Sequence, residues 1–337
     1  MFYALTAWAS LLEVALPLLA ISWGYPLWYV GAIMSAYHFG YLLRDILVAR
    51  QMKLWEALAV YIVSLVLLTV GGLLRIALLL LAGVVLTSTA TQYLRNWLKH
   101  SSDFNPSSKS MWRLGGFIVG GLATEIPALI VALGMVSAAL GVRRPLASKP
   151  LLKWPNLWKA FLHPLLVFEF FHHLQYFIYC YYLLVIVWQK LGPFRSVAGL
   201  LFVVGWIGYA VIYTQLKSFK PSAMICGHLA CAAATALMAT NPDLPTLLIA
   251  WFITGIGGGT AYGLDFVDST IAAQIKPHRE FSENLGHVLG PAVAALLVAA
   301  GDTTFVFGSS AIASLLAVCS LLWYLGALKQ VRQRYSQ

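Results

Sequence analysis

Charge is scarce in this chain. Asp, Glu, Lys and Arg make up 10% of its 337 residues, against 60% hydrophobic residues and a mean hydropathy of +0.79. A soluble globular domain carries about a quarter charged residues, so this balance excludes one. Cysteine is scarce too. Cys180, Cys226, Cys231 and Cys319 lie in apolar runs without Cys-x-x-Cys spacing. That pattern excludes a disulfide framework and a thiolate zinc site, and reads as small core residues. No segment alternates apolar and polar residues, which excludes a transmembrane barrel. A phosphate loop is missing as well: Gly257 to Gly259 lie inside an apolar run, with no Lys-Ser or Lys-Thr after them. Direct ATP use is therefore not expected, nor is any cofactor. Negative charge is the rarer sign, with 12 Asp and Glu against 22 Lys and Arg. The basic excess sits in short loops, not arms or tails, so nucleic acid is not an expected partner and the excess reports orientation instead.

What is abundant is apolar length. Runs of about 17 to 25 residues recur from end to end, the length a helix needs to cross a bilayer. The chain therefore reads as an all-α polytopic membrane protein of about 12 transmembrane helices. The first run contains Glu13 and lacks a basic leader and a cleavage site, so a retained helix is expected rather than a signal peptide. Breakers at Gly24-Tyr25-Pro26, Gly192-Pro193 and Asn241-Pro242-Asp243 mark turns. Basic loops follow helices 2, 4, 6, 8 and 10, and by the positive-inside tendency they are cytoplasmic, as is the C-terminus. Residues 114–142 are basic at both flanks, which requires two short helices 5 and 6 turning at Thr124-Glu125-Ile126-Pro127, or one tilted helix. Helix 10 is read over 244–275, the KPHRE sequence at 276–280 as a loop, and helix 11 from Glu283.

The stretch Phe161 to Trp188 stands apart. It is long enough to span, yet Glu169, His172, His173, Tyr176 and Cys180 fall at i, i+3, i+4, i+7 and i+11, one stripe down one helix face. A carboxylate at a helix centre costs about 2.5 to 3.5 kcal/mol on insertion scales, so such groups face a bundle interior or a wet cavity.

The two halves echo each other. With an offset of about 168 residues, Gly31 falls on Gly199, Gly40 on Gly208 and Tyr41 on Tyr209, and both copies follow a Gly/Pro turn and precede a basic loop. At this point the chain resembles the major facilitator superfamily over nearly its whole length. GYLLRDILVARQMK, Gly40 to Lys53, is similar to that family's loop between helices 2 and 3, with the Gly-to-Asp interval one residue longer and a thinner basic cluster. ENLGHVLGPAVAALL, Glu283 to Leu297, is similar to its helix 11, with Gly286, Gly290 and Pro291 where close packing is expected. The chain is a short, divergent version, with helices 5 and 6 compressed and no drug-efflux or sugar-transporter signature intact.

The resemblance implies two pseudo-symmetric six-helix bundles, 1–142 and 159–337, joined by a cytoplasmic linker at 143–158. It also implies that helices 1, 4, 7 and 10 line a central cavity. The ionisable residues concentrate on those helices: Glu13 on helix 1, Gln92 and Arg95 on helix 4, Glu169, His172, His173 and Tyr176 on helix 7, and Asp265 and Asp268 on helix 10. These nine are the candidate substrate or proton-coupling residues. Glu13 suits a proton carrier, because burial raises a carboxyl pKa. Glu169 and His173 at i, i+4 could also contribute to a metal site, given further ligands from another helix, with His38 and His228 the candidates; otherwise no metal is expected. His38, His228 and His287 read as packed or interfacial.

The expected function is a secondary transporter, not an enzyme. It would move a small polar organic solute or a metal chelate, coupled to protons, as a monomer in the bilayer of a bacterial inner membrane. Two alternatives stay open: a non-transporting scaffold or cofactor-assembly protein that keeps the fold, and an intramembrane metal-binding protein or metal-ion transporter.

Overall fold

The computed structural model describes residues 2–47, 54–99, 106–126, 128–139 and 163–335. Among them are twelve α-helices and no strand. They are α1 (Phe2–Ser22), α2 (Trp28–Leu47), α3 (Leu54–Leu73), α4 (Ala77–Lys99), α5 (Pro106–Leu122) and α6 (Ala128–Ala139). They continue as α7 (Pro164–Lys190), α8 (Leu200–Gln215), α9 (Pro221–Ala239), α10 (Leu244–Gly259), α11 (Ser269–Ala300) and α12 (Thr303–Tyr335). Two 3₁₀ segments, Gly192–Val197 and Thr260–Phe266, precede α8 and follow α10. Eight of the helices are long and apolar enough to cross a membrane. The protein is an all-helical, polytopic membrane protein.

The turns follow from local chemistry. Gly24 and Gly192 sit at positive φ (81° and 54°), where glycine meets no Cβ penalty. Arg75 and Asn241 adopt the same left-handed region at the α3–α4 and α9–α10 turns. The described residues between 114 and 139 form two helices rather than one, because the chain turns at Ala123 to Ile126 between α5 and α6.

The second half departs from expectation at helix 10. It ends at Gly259, passes through the 3₁₀ segment and breaks at Val267; Asp268 then caps α11 by accepting the Ile271 N–H at 2.9 Å. The 276–280 stretch is therefore helical, and helix 11 begins at Ser269 rather than Glu283. The expected basic loop at 48–53, the turn cluster at 101–105 and the linker at 143–158 lie outside the described residues.

By contacts the chain divides into two compact units: Met1–Trp154 with Tyr181–Val203, and Pro155–Cys180 with Val204–Gln337. Within the first, α1 packs on α5, and α4 on both α2 and α3. Small residues set these approaches. A Cβ at Gly71 would stand 2.6 Å from the Leu80 backbone nitrogen, and one at Gly83 would stand 2.7 Å from that of Leu68. In the second unit, α9 packs on α10 and α12, and α11 on α12. Leu165, Phe168, Met224, Leu264, Ile275 and Leu321 close a core there. The paired glycines of the sequence repeat have matching roles. Gly40 of α2 lies against the α4 backbone at Val85 and Thr89, and Gly208 of α8 against the α10 backbone at Phe252 and Ile256.

Two cysteines correct the core reading. Cys180 and Cys231 are buried, while Cys226 and Cys319 are exposed, and none of the four is in a disulfide.

Candidate functional site

Two polar clusters hold the candidate residues, one in each unit. In the first, the Glu13 carboxylate on α1 lies 3.6 Å from the guanidinium of Arg113 on α5. Arg95 on α4 is close enough to interact electrostatically with Glu13, Tyr37, Tyr41 and Arg113, and its guanidinium stands 5.7 Å from the Phe2 ring centroid. Tyr41 donates to the Tyr37 hydroxyl at 2.6 Å, and Tyr37 donates to the Ala9 carbonyl at 3.0 Å. Gln92 lies close enough to Tyr41 to interact with its hydroxyl. Glu13, Gln92 and Arg95 are thus joined through two tyrosines, and Arg113 completes the cluster.

The second cluster is more highly charged. Glu169 on α7 is 2% exposed, and its Oε1 accepts a hydrogen bond from Arg279 Nε at 2.8 Å. The same guanidinium pairs with Asp265 through Nη1. His173 places Nε2 3.7 Å from Glu169 Oε1, and its Nδ1 lies 2.9 Å from His287 Nε2. His287 in turn lies 3.8 Å from Glu283, one turn earlier on α11.

The helix 7 stripe therefore divides between two neighbours. Glu169 and His173 meet α11, whereas His172 meets His228 on α9, Nδ1 to Nε2 at 3.1 Å. His228 Nδ1 donates to the Met224 carbonyl at 2.8 Å, so its Nε2 is the acceptor and His172 Nδ1–H the donor. Tyr176 packs its ring 5.6 Å from that of Trp251. Of the two candidate aspartates, Asp265 joins the cluster; Asp268 is exposed and caps α11.

Sequence reasoning missed five residues here. Arg113 and Arg279 look like loop charges in sequence, and only the fold turns them inward. Glu283 and His287 carried a signal that was available: Glu-x-x-x-His occurs at 169–173 and again at 283–287. Gln175, 1% exposed, is the fifth. Its backbone carbonyl accepts from Ser310 at 2.7 Å and its side-chain oxygen from Ser314 at 3.2 Å, which ties α7 to α12.

No protein-family model matches the chain, and no curated protein matches it in sequence. Solved structures do match. A structure of the nucleoside transporter NupG aligns over 95% of this chain and 96% of its own, with a TM-score of 0.70 at 12% identity. A structure of a NupG variant gives a TM-score of 0.68 at 14% identity over the same shares. The major facilitator superfamily transporter FucP, in the outward conformation, covers 96% of this chain and 98% of its own, with a TM-score of 0.51 at 13% identity. A further FucP structure, described as the E. coli fucose:proton symporter, gives 0.52 at 12% identity over 96% of each chain.

Proposed function

On the premise that this chain has the major facilitator transporter fold, we propose that it is a secondary active transporter. It moves a small polar organic solute across the membrane by alternating access, coupled to protons, and acts as a monomer. The observation that carries the proposal is the Glu169–Arg279 ion pair, whose carboxylate is sealed among apolar helices at 2% exposure while the guanidinium reaches on to the exposed Asp265. Replacing a buried ion pair with apolar residues of similar volume is often neutral or stabilising by about 1 to 4 kcal/mol, so packing alone does not favour such a network. Ionisable groups at membrane depth mark pathways and proton relays.

The reading gains support from the nucleoside transporter and the fucose:proton symporter, whose chains align along nearly all of this one. Nucleosides and fucose are polar organic solutes, the class proposed for this chain. Glu13 and His173 take the coupling role, one in each cluster. Gln92, Arg95, His172, Tyr176 and Asp265 line or order the solute path, and no residue is assigned a catalytic step. The short basic loops orient the chain with its C-terminus in the cytoplasm of a bacterial cell, in the inner membrane.

A thermal-shift screen of nucleosides, sugars and metal chelates at two pH values identifies the solute. Flux of that solute into proteoliposomes under an imposed pH gradient then tests the mechanism. Glu13→Gln and His173→Ala are each expected to abolish the pH-driven component while the protein still folds. Undiminished flux in both variants rules out the coupling role.

A further inference from the structure

Two Glu-x-x-x-His sequences meet in the second unit. On α7, Glu169 and His173 lie one turn apart on one face; on α11, Glu283 and His287 do the same. Gly286 and Gly290 bring the two helices together. A Cβ at Gly286 would stand 2.8 Å from the Phe170 carbonyl oxygen and 2.9 Å from His173 Cβ, and one at Gly290 would stand 2.8 Å from Phe177. That close approach is what puts the two imidazoles in contact.

We infer that His173, His287 and Glu283 form a binding site for one divalent transition-metal ion of the zinc class, with Glu169 as its outer carboxylate. One ligand atom from each of the three residues lies within 4.8 Å of the others. Two imidazoles and a carboxylate suit zinc, cobalt, nickel or copper rather than magnesium or calcium, which prefer all-oxygen shells. His173 Nδ1 and His287 Nε2 stand 2.9 Å apart, sharing one proton. A tetrahedral ion with bonds of about 2.0 to 2.1 Å needs them about 3.4 Å apart, a shift of a few tenths of an ångström. The ion takes the place of that proton.

The surroundings fit a metal as well as the ligands do. A histidine that ligates through one nitrogen characteristically offers the other to a carboxylate, which fixes its tautomer and raises its basicity. Glu169 is the carboxylate placed for this on His173: its Oε1 lies 3.7 Å from Nε2, an ion-pair distance that a small shift closes to a hydrogen bond, and Arg279 Nε holds that same oxygen at 2.8 Å. Glu169 and Asp265 both pair with the single guanidinium of Arg279, and Glu283 lies within electrostatic reach of it beside the two imidazoles, an excess of negative charge that a divalent ion offsets. Three protein ligands leave a fourth position for water or a solute donor atom. The inference does not rest on transport, because metal binding is an equilibrium property of the purified chain.

The test uses the untagged full chain in detergent, stripped with a chelator and titrated with Co²⁺, whose visible absorption reports its ligands. The expected result is saturation at one Co²⁺ per chain and displacement by Zn²⁺. His287→Ala and Glu283→Gln should each weaken Co²⁺ binding by at least about tenfold, and Glu169→Gln by about 10- to 100-fold. Glu283→Gln keeps the side chain's size at a partly exposed position, so it gives a readable answer even if His287→Ala fails to fold. Absence of saturable absorption in the unaltered chain overturns the inference. So does unchanged affinity in Glu283→Gln, or a sulfur-to-cobalt charge-transfer band assigning the ion to a cysteine.

Discussion

Polar groups inside the first unit are mostly neutral and stepwise, whereas those inside the second are charged and converge. Around α1, α2 and α4, the Tyr41–Tyr37–Ala9 chain is joined by Thr87 donating to Ser64 at 2.8 Å and Thr89 donating to the Gly40 carbonyl at 3.1 Å. Among the described residues, the ion pair of Glu13 with Arg113 is loose at 3.6 Å, with an arginine side chain 33% exposed and a carboxylate side chain 11% exposed. Around α7, Glu169 is sealed at 2% side-chain exposure and bound directly by Arg279. Neutral hydrogen bonds stiffen a bundle at little desolvation cost; buried charges demand full pairing. The difference makes the second unit's cluster the more sensitive of the two to the loss of a partner.

The sharpest way to break that contrast is to remove one arginine from each unit. Arg279→Ala leaves Glu169 buried without its partner and should cost about 3 kcal/mol or more. Arg113→Ala should cost about 1 kcal/mol or less, as for a partly exposed pair. Thermal unfolding in detergent, followed by tryptophan fluorescence, checks both; equal losses would erase the distinction. Adding Glu169→Leu to Arg279→Ala should recover much of the loss.

Packing comes next in size. Gly286→Ala pushes a methyl into the Phe170 carbonyl and the His173 stem, a strain of about 1 to 3 kcal/mol. The same unfolding assay reads it, and a cost no greater than that of Gly115→Ala, where a Cβ meets nothing within 4 Å, would contradict the close approach of α7 and α11. Tyr37→Phe removes the hydrogen bond to Ala9 and the one accepted from Tyr41, and should cost about 1 to 2 kcal/mol.

The smallest effect lies outside both clusters. Asp302, fully exposed before α12, accepts from the Thr304 N–H and from the Thr303 and Thr304 hydroxyls, and these bonds hold its carboxyl below its ordinary value. A depressed folded-state pKa means the contribution is present above the unfolded value and disappears as pH falls through the folded one. Asp302→Asn should therefore lose a little stability at neutral pH and converge with the unaltered chain as pH falls through the folded-state pKa, which flattens the acid limb. Two profiles that stay parallel through the acid limb would discount these bonds.

Much of the architecture was legible in the residues. Twelve helices followed from apolar run length, and the turns at Gly24, Gly192 and Asn241 from residues that tolerate positive φ. The α5–α6 turn followed from basic flanks on both sides of a compressed interval. The α10–α11 boundary did not, because Lys276 to Glu280 has the composition of a loop while Asp268 supplies a helix cap eight residues earlier. The stripe on α7 was visible from spacing alone. Its arginine partner was not, since Arg279, like Arg113 beside Glu13 on α1, sits near the end of an apolar run, where a basic residue normally snorkels to water. Only packing decides that such a side chain turns inward. The recurrence of Glu-x-x-x-His was in plain view, but its meaning depends on Gly286 letting α11 approach α7.

The most direct test of the account is solute flux into proteoliposomes with and without a pH gradient, comparing the unaltered chain with His173→Ala. The account predicts accumulation that follows the gradient in the unaltered chain and only facilitated, gradient-blind equilibration, or none, in the variant. Accumulation of the same size in both would contradict it.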